Sequence, residues 1–409
     1  MTTATAPPAA PATAPAPATG RARASDLDGL RGLAALSTVL FHVWQQYHRY
    51  DASGSHPPIG QPLIGAALSF EVIDLFFVMS AYLLTLSYAR AAIDGGAVRT
   101  ARVFLFRRAV RILPLYVLAV CTVWALRNPD LPGDWRDLAE HLTFTHLFDQ
   151  RRIFYTLGPS WSLSLEVCFY LALVVLGPLA VRLCRPLRRR GARIAVCAAG
   201  CAALYALPWI WITVAHQVLG VPHTDWVVYF GPAARCGGFA AGMGLAVLAT
   251  ALGERGRPRR AVALPLTAAV LAALYGLSLL SAPENAAFTY YHPLASGLWA
   301  VLLFATLRVR RRTVWNRFLT ARWLTAVGLV SYSLFLWHEP VMLQLHRAGL
   351  LPATQAGFPL AVLIVLAVAL PFAWLSYWLL EYPAGLLGRL KDGRGRPREF
   401  YPKAPRATA

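Results

Sequence analysis

Ten long apolar runs follow one another along this chain of 409 residues. Each has roughly the 20 residues that an α-helix needs to cross a hydrocarbon core of about 30 Å. Polar segments separate them. The pattern predicts an all-α integral membrane protein, a bundle of about ten transmembrane helices. The runs lie near residues 30–48, 67–88, 111–126, 162–181, 194–215, 226–251, 261–281, 291–307, 324–345 and 358–380.

The composition agrees with a chain surrounded by lipid. Hydrophobic residues make up 57% of the sequence and charged residues 14%. A water-facing surface of this size could not tolerate that composition, so most of the surrounding solvent must be lipid. The formal net charge of +20 would suggest a nucleic-acid partner in a soluble protein, so the distribution of the charge decides its meaning.

The basic residues are concentrated in every second loop and in the two terminal segments. Of the 39 lysines and arginines, 31 lie in the two terminal segments and in alternate loops, and only six lie in the other loops. Cytoplasmic loops carry such an excess under the positive-inside rule. We therefore expect a multi-pass protein of the cell membrane with both termini in the cytoplasm, and no nucleic-acid partner.

The two terminal segments have little apolar surface to bury. Residues 1–24, rich in Ala, Pro and Thr, predict a disordered cytoplasmic arm, and residues 391–409 predict a basic cytoplasmic tail. Residues 25–390 form the predicted membrane domain. Its first run has no small-residue cleavage site at its end and precedes further spans, so we expect a signal anchor. The six cysteines lack metal-ligand spacing, and no metal site is predicted.

Two ionisable side chains, Arg31 and His42, fall within the first run. Such groups are costly in lipid unless they are paired or face water, which makes them candidates for function. Their spacing of eleven residues places them within about 20° on one helix face and roughly 16 Å apart along the axis. The predicted orientation puts Arg31 at the cytoplasmic mouth and His42 in the outer half of the membrane.

The stripe formed by Arg31 and His42 suits a long donor with a phosphate-bearing head and a reactive end, such as an acyl-CoA. Arg31 would bind the anionic head, and His42 would meet the reactive end. The alternative is structural. Arg31 would then reach lipid phosphate, and His42 would form a hydrogen bond between helices.

Charged residues also stand at the ends of the second and third runs. Glu71 and Asp74 open the second run, where acids stabilise a helix N-terminus. Arg107, Arg108 and Arg111 end the loop before the third run, so we expect three guanidinium groups at the cytoplasmic face. Positive-inside topology explains such a cluster, and phosphate recognition is the alternative.

Later runs place more polar groups at their outer ends. Trp161 suits the aromatic belt, but Glu166 lies a turn deeper and needs a partner, for which His42 and Arg235 are the candidates. The ninth run carries His338 to a depth near that of His42. Two histidines, a glutamate and an arginine are therefore expected to converge. An aromatic helix end with an incidental histidine is the alternative for His338.

Six segments stand in an order that is known from one family. Together they resemble acyltransferase family 3, the bacterial membrane O-acyltransferases that modify envelope polysaccharides, lipid-linked sugars and some antibiotics. The likeness spans roughly residues 26–383. Val167 departs from the pattern by replacing a second acid, and Ala81 by replacing a glycine. The segments are residues 27–35 with His42, 74–77, 107–116, 161–166, 332–338 and 381–383.

The resemblance implies transfer of an acyl group, usually acetyl, from cytoplasmic acyl-CoA to a hydroxyl group across or within the membrane. It gives His42 the catalytic role, with Arg31 as its partner in the first helix and Glu166 in the acid motif. The arginine motif of the third run would bind the donor. No bound cofactor is expected, because acyl-CoA is a substrate. Acceptor binding is expected at Trp161, Ser164, Arg235 and His338.

The chemistry is coherent, but it leaves alternatives open. A neutral imidazole can take the proton of an acceptor hydroxyl as that hydroxyl attacks a thioester, so His42 is the expected general base. A transient acyl-imidazole is the other route. The acceptor can be an envelope polysaccharide, a glycolipid or a secondary metabolite. A transporter is the alternative function, although transporters usually show internal repeats and this sequence shows no clear one.

Overall fold

The computed structural model describes residues 18–51, 53–59, 72–98, 100–254, 256–280 and 289–390, and this part of the chain is mostly helical. A short antiparallel hairpin of strands β1 (Arg49–Asp51) and β2 (Gly54–His56) follows the first helix. The helices are α1 (Ala18–Tyr47), α2 (Ile73–Asp94), α3 (Ala101–Arg127), α4 (Trp135–Leu142), α5 (Trp161–Cys184), α6 (Arg190–Ile212), α7 (Trp226–Phe230), α8 (Pro232–Leu252), α9 (Arg260–Leu280), α10 (Tyr291–Arg308), α11 (Val314–Leu319), α12 (Arg322–Leu329), α13 (Ser331–Arg347), α14 (Phe358–Ser376) and α15 (Tyr382–Leu390).

Seven helical segments in the described residues are long and apolar enough to cross a membrane, and the bent pair α12 and α13 makes up to eight. The expected ten spans are not confirmed. Helix α1 carries Arg31, His42, Gln45 and Gln46 within its apolar run, and α10 has His292 and Arg308 among its 18 residues. The chain is a multi-pass, mostly helical membrane protein. The seven segments are Ile73–Asp94, Ala101–Arg127, Gly158–Cys184, Arg190–Val218, Trp226–Leu252, Arg260–Leu280 and Gln355–Gly388.

Helix α3 corrects the expected position of the arginine motif. The helix begins at Ala101, ten residues before the predicted run, with the Thr100 side chain accepting a hydrogen bond from the backbone N–H of Val103. The motif therefore lies within the helix, about 9 to 15 Å from its start, and not in the preceding loop. The apolar run does not include this first part of the helix because arginines interrupt it. The helix nevertheless continues through them, because arginine favours helices about as well as leucine does.

The terminal segments are only partly described. Helix α1 begins at Ala18, so the last residues of the predicted arm, 18–24, are helical. Residues 1–17 and the predicted tail 391–409 lie outside the described residues. Arg312 donates to a carboxylate oxygen of Asp26 across 2.6 Å, which ties the start of α1 to the segment before α11.

Glycines allow α1 to touch α11 and α12 backbone to backbone. A Cβ atom on Gly29 would lie 1.9 Å from the carbonyl oxygen of Leu319, and one on Gly32 would lie 2.2 Å from that of Leu324. From the other side, a Cβ atom on Gly328 would lie 1.8 Å from the carbonyl oxygen of Asp28. Small residues at such contacts are typical of helix packing in membranes. These contacts fix the position of α1 along its partners.

A sharp bend then redirects the chain at Val330. Helices α12 and α13 meet at 75° on either side of this residue. Its N–H donates to the carbonyl of Val327 in a tight turn, and its own carbonyl accepts from Leu334 to start the next helix. Helix α13 therefore packs against α1 and α14 along a direction of its own. The bend carries His338 towards the second half of α1.

We predict that Gly328→Ala lowers the free energy of unfolding by about 3 kcal/mol, because the added methyl group meets backbone that has no side chain to move aside. The measurement is the unfolding midpoint in detergent. Gly276→Ala is the matched control, since a Cβ atom there has nothing within 4 Å and alanine favours a helix over glycine. Equal effects of the two substitutions would show that the glycine contact does not hold α1 in place.

Candidate active site

His42 and His338 meet side by side. Nε2 of His338 lies 3.2 Å from Nδ1 of His42, and the ring centroids are 4.9 Å apart. His338 is 1% exposed, whereas His42 is half-buried and can be reached from outside the protein interior. The two histidines therefore converge as expected, with His338 forming the buried side of the pair.

Backbone carbonyls fix the tautomers of both rings. Nδ1 of His42 lies 2.9 Å from the carbonyl oxygen of Thr38, and Nδ1 of His338 lies 3.1 Å from that of Leu334. A carbonyl can only accept, so we assign a proton to both Nδ1 atoms. The Nδ1 proton of His42 is then shared between the Thr38 carbonyl and Nε2 of His338, and the basic lone pair of His42 is on its Nε2. A general base needs this arrangement: an oriented ring with an acceptor nitrogen.

Arg31 lies in the middle of the same helix and shares an acidic neighbour with an arginine of the motif. Nη1 of Arg31 is 3.7 Å from a carboxylate oxygen of Asp28. Arg111 also acts electrostatically on Asp28, and on Glu381, whose carboxylate accepts a hydrogen bond from the Ser333 hydroxyl. The first-helix arginine and the arginine motif thus share acidic neighbours. The structure brings Arg31 and Arg111 to the same end of the bundle.

Arg108 and Glu166 belong to one polar network. The Ser80 hydroxyl donates to Oε1 of Glu166 across 2.5 Å, and Tyr170 interacts electrostatically with both Glu166 and Arg108. Arg108 also acts electrostatically on Glu166. The partners of this carboxylate are therefore Ser80 and Tyr170, not the expected His42 or Arg235. Glu166 neutralises charge within the bundle and is one helix turn from its tyrosine partner.

Trp161 and Arg235 meet in a separate aromatic cluster. The guanidinium carbon of Arg235 lies 5.4 Å from the centre of the Trp161 ring, 4.5 Å from that of Phe230 and 4.7 Å from that of Tyr229. Its Nε donates to the Tyr229 carbonyl across 3.2 Å. The two histidines contact each other, whereas Glu166 and Arg235 have other direct partners, so the four groups fall into three sets of contacts.

Asp74 has a different role from the expected helix cap. It is 1% exposed, and its carboxylate lies 2.7 Å from Nδ1 of buried His292 on α10. Nε2 of His292 lies 3.3 Å from the Tyr229 hydroxyl. Glu71 lies outside the described residues. His292 opens the predicted eighth run, so an ionisable residue within a span was a signal that could have found it.

Ser164 contacts a buried histidine from the loop before α5. Nε2 of His146 lies 3.3 Å from the Ser164 hydroxyl and 3.0 Å from that of Ser160. The His146 ring stacks on His141, with centroids 4.0 Å apart, and a carboxylate oxygen of Asp137 lies 3.1 Å from Nδ1 of His141. This network anchors the first turn of α5. Loop residues show no periodicity, so no sequence pattern indicated His146.

No metal site emerges from the part of the chain that the structure describes, since no three His, Cys, Asp or Glu side chains are grouped to hold an ion. The chemistry available is that of imidazole, guanidinium, carboxylate and hydroxyl groups. These groups can bind phosphate and move a proton at a hydroxyl.

We predict that Arg108→Gln and Glu166→Gln each lower the unfolding midpoint in detergent, because each leaves a charge inside the bundle without its counterpart. The loss in free energy of unfolding should be about 1 kcal/mol smaller in the double variant than the sum of the losses in the two single variants. Arg102→Gln, an exposed position on the same helix, is the control and should change little. Strictly additive effects would show that Arg108 and Glu166 do not interact.

The loop network predicts a dependence on pH. Burial, with His141 stacked against the ring, lowers the pKa of His146 from 6.5 to about 3. The unfolded chain therefore takes up a proton below about pH 6.5 while the folded chain does not, so stability falls as the pH falls through this range. Relative to pH 8, the free energy of unfolding at pH 5 is lower by about 2 kcal/mol. Unfolding midpoints at pH 8 and pH 5 measure it.

In this comparison, His146→Gln should lose less stability between the two pH values than the native chain, since glutamine does not titrate. Exposed His346→Gln is the control and should follow the native chain. An identical pH dependence in all three proteins would rule out His146 as the titrating group.

Comparison with known proteins identifies the family. The family model described as an acyltransferase domain, Acyl_transf_3, matches residues 25–378. "Acyltransferase MdmB" of Streptomyces mycarofaciens is 29% identical over 408 residues, which cover 94% of this chain and 98% of that protein. "Putative membrane-bound transacylase BcsY" of Komagataeibacter xylinus is 28% identical over 392 residues, which cover 88% and 82%. No solved structure matches.

A more distant relative has the same type of activity in its name. "Putative O-acetyltransferase SACOL0978" of Staphylococcus aureus is 24% identical over 386 residues, which cover 87% of this chain and 56% of that protein. The family match extends over most of the chain and confirms the resemblance seen in its motifs, which favours a transferase over the transporter. The chain belongs to the acyltransferase family described by this domain and is a membrane O-acyltransferase.

Proposed function

We propose that this protein transfers an acyl group, most simply acetyl, from cytoplasmic acyl-CoA to a hydroxyl group of a sugar-containing envelope component or a secondary metabolite. The reaction takes place in the bacterial cell membrane, with both termini of the chain in the cytoplasm. The observation that supports it best is the contact between His42 and His338, in which a buried neutral imidazole orients a second imidazole that can be reached.

The donor is proposed to bind at the end of the bundle where Arg31 and the arginine motif lie. Arg107, Arg108 and Arg111 lie on one stretch of α3, and Arg111 shares Asp28 as a neighbour with Arg31. Guanidinium groups match phosphate oxygens in bidentate geometry, so this end suits the phosphates of CoA. Arg31 and His42 are separated by roughly 16 Å along one helix, which directs the thioester end towards the histidine pair.

In the proposed reaction, Nε2 of His42 takes the proton of the acceptor hydroxyl while the oxygen of that hydroxyl attacks the thioester carbon. The carbon–sulfur bond breaks, and the CoA thiolate receives the proton from the imidazolium. His338 accepts a hydrogen bond from Nδ1 of His42 throughout, so the positive charge that develops on His42 meets an acceptor that is already in place. Attack by Nε2 on the thioester, giving an acyl-imidazole relay, is the alternative first step.

The acceptor is proposed to enter near the first turn of α5. Glu339, the residue after His338, forms a hydrogen bond with the backbone of Gly158, which precedes Trp161 by three residues. The histidine pair and the start of α5 therefore lie at the same end of the bundle. Trp161, Ser164 and Arg235 are the further residues proposed for acceptor binding, and Glu166 for balancing charge behind them.

We predict that His42→Ala lowers acyl transfer or hydrolysis of labelled acetyl-CoA by about 10²- to 10⁴-fold, the usual contribution of a general base. The assay uses purified protein in lipid vesicles and measures CoA release together with label on the protein. Arg31→Ala is expected to raise the acetyl-CoA concentration needed for half-maximal rate.

His346→Ala is the matched control, because this histidine is exposed at the end of α13. It should retain native turnover. Full turnover by a folded His42→Ala variant would overturn the proposed role of this residue, and the absence of acetyl-CoA binding and turnover in the folded native protein would overturn the donor.

A further inference from the structure

Arg235 is buried with part of its hydrogen-bonding capacity unused. It stands in the first turn of α8 and is 2% exposed. Nε is paired with the Tyr229 carbonyl, but Nη1 and Nη2 have no hydrogen-bond partner among the described residues. The three rings around the guanidinium recover part of the cost of burial through cation–π attraction. They offer no acceptor for its four terminal N–H groups.

The nearest acid on α2 already has a partner. The Asp74 carboxylate lies 2.7 Å from Nδ1 of His292, and His292 in turn faces the Tyr229 hydroxyl. In the described part of the chain, no carboxylate lies within the 4 Å that an ion pair with Arg235 requires. The two terminal nitrogens of Arg235 therefore have no acceptor among the described residues. Its planar fork fits the oxygens of a phosphate.

An apolar groove begins one helix turn from this arginine, which is not itself among the lining residues. It has a volume of about 120 Å³ and lies between α5, α6 and α8. On α8 it extends from Pro232, one turn before Arg235, to Met243, which is about 16 Å further along the helix. On α5 it begins at Leu165, one turn after Trp161. The other lining side chains include Phe169, Leu204 and Phe239.

The groove opens towards the surface that faces lipid. Ala172 forms part of its lining and is exposed, and the neighbouring apolar side chains Leu171 and Val175 are 54% and 63% exposed. Exposed leucine and valine on a membrane-spanning helix contact acyl chains. An acyl chain can therefore enter the groove sideways, with its polar end at the level of Arg235.

We infer that Arg235 and this groove together bind a phosphate-bearing membrane lipid. The phosphate binds Nη1 and Nη2, and one hydrocarbon chain fills the groove. Charge complementarity and the apolar lining point to the same occupant. The inference rests on the proposed function in one respect, because Arg235 is also proposed there for acceptor binding. Lipid retention can still be measured apart from acyl transfer, because the histidine pair lies among a different set of contacts.

The test measures lipid retention by native mass spectrometry. Purified protein is exchanged into vesicles of phosphatidylglycerol or of diacylglycerol with the same acyl chains, extracted with detergent, and analysed for bound lipid. Native protein should retain phosphatidylglycerol in preference to diacylglycerol. Arg235→Gln should retain about tenfold less phosphatidylglycerol, since it keeps a hydrogen-bond donor but loses the charge.

Two further variants make the test independent of the folding of Arg235→Gln. Ala172→Trp fills the groove from its exposed edge and leaves the arginine unchanged, so it should also lose phosphatidylglycerol. Arg347→Gln removes an exposed arginine from the end of α13 and should retain the lipid. Each variant is also assayed for His42-dependent release of CoA, so that a failure of lipid binding is distinguished from a failure of acyl transfer.

Three results would overturn the inference. One is native retention by both Arg235→Gln and Ala172→Trp. Another is equal retention of diacylglycerol, which would show an apolar groove without a phosphate site. The third is competition by inorganic phosphate together with no effect of Ala172→Trp, which would show an anion site that takes no lipid chain.

Discussion

The backbone contact between α1 and the α11–α12 segment is the constraint on which the rest of the site depends. Gly29, Gly32 and Gly328 allow carbonyl oxygens to approach where any side chain would collide, so α1 cannot slide along its partners. The 75° bend that follows α12 then sends α13 back across α1. Because the glycine contact and the bend together set the positions of α1 and α13, the contact between His42 and His338 follows from the helix positions. A motif that includes glycines and Arg31 therefore determines packing and chemistry together.

A second constraint is the cost of charge in lipid, which explains how the remaining polar residues are arranged. Each ionisable group inside the bundle needs a counterpart that other helices supply. Arg108 shares Tyr170 with Glu166, and Asp74 is paired with His292. These pairs join helices that are distant in sequence and add direction to packing that apolar contacts alone leave loose. Arg235 is different, because aromatic rings surround it and its terminal nitrogens have no partner in the described residues.

The sequence predicted what local periodicity and topology can determine. Apolar runs located the segments that became spans, and the helix angle placed Arg31 and His42 on one stripe. Pairing between helices could not be predicted, because depth alone does not say which neighbours meet. Glu166 was therefore assigned to His42 or Arg235, whereas its partners are Ser80 and Tyr170. The start of α3 was placed too late for a different reason. Low hydropathy assigns arginine-rich segments to loops, although arginine has a high helix propensity.

The partner of His42 is itself a histidine, and lipid gives a physical reason for that choice. A carboxylate in the place of His338 would orient the ring equally well, but it would need a cation inside the bundle to offset its charge. Neutral His338 needs only the carbonyl of Leu334 to fix its tautomer. The pair is then uncharged before reaction, and charge develops only as His42 takes a proton in the proposed transfer. Since Nε2 of His338 already accepts from His42, the stabilisation increases in the transition state, which is where it accelerates the reaction.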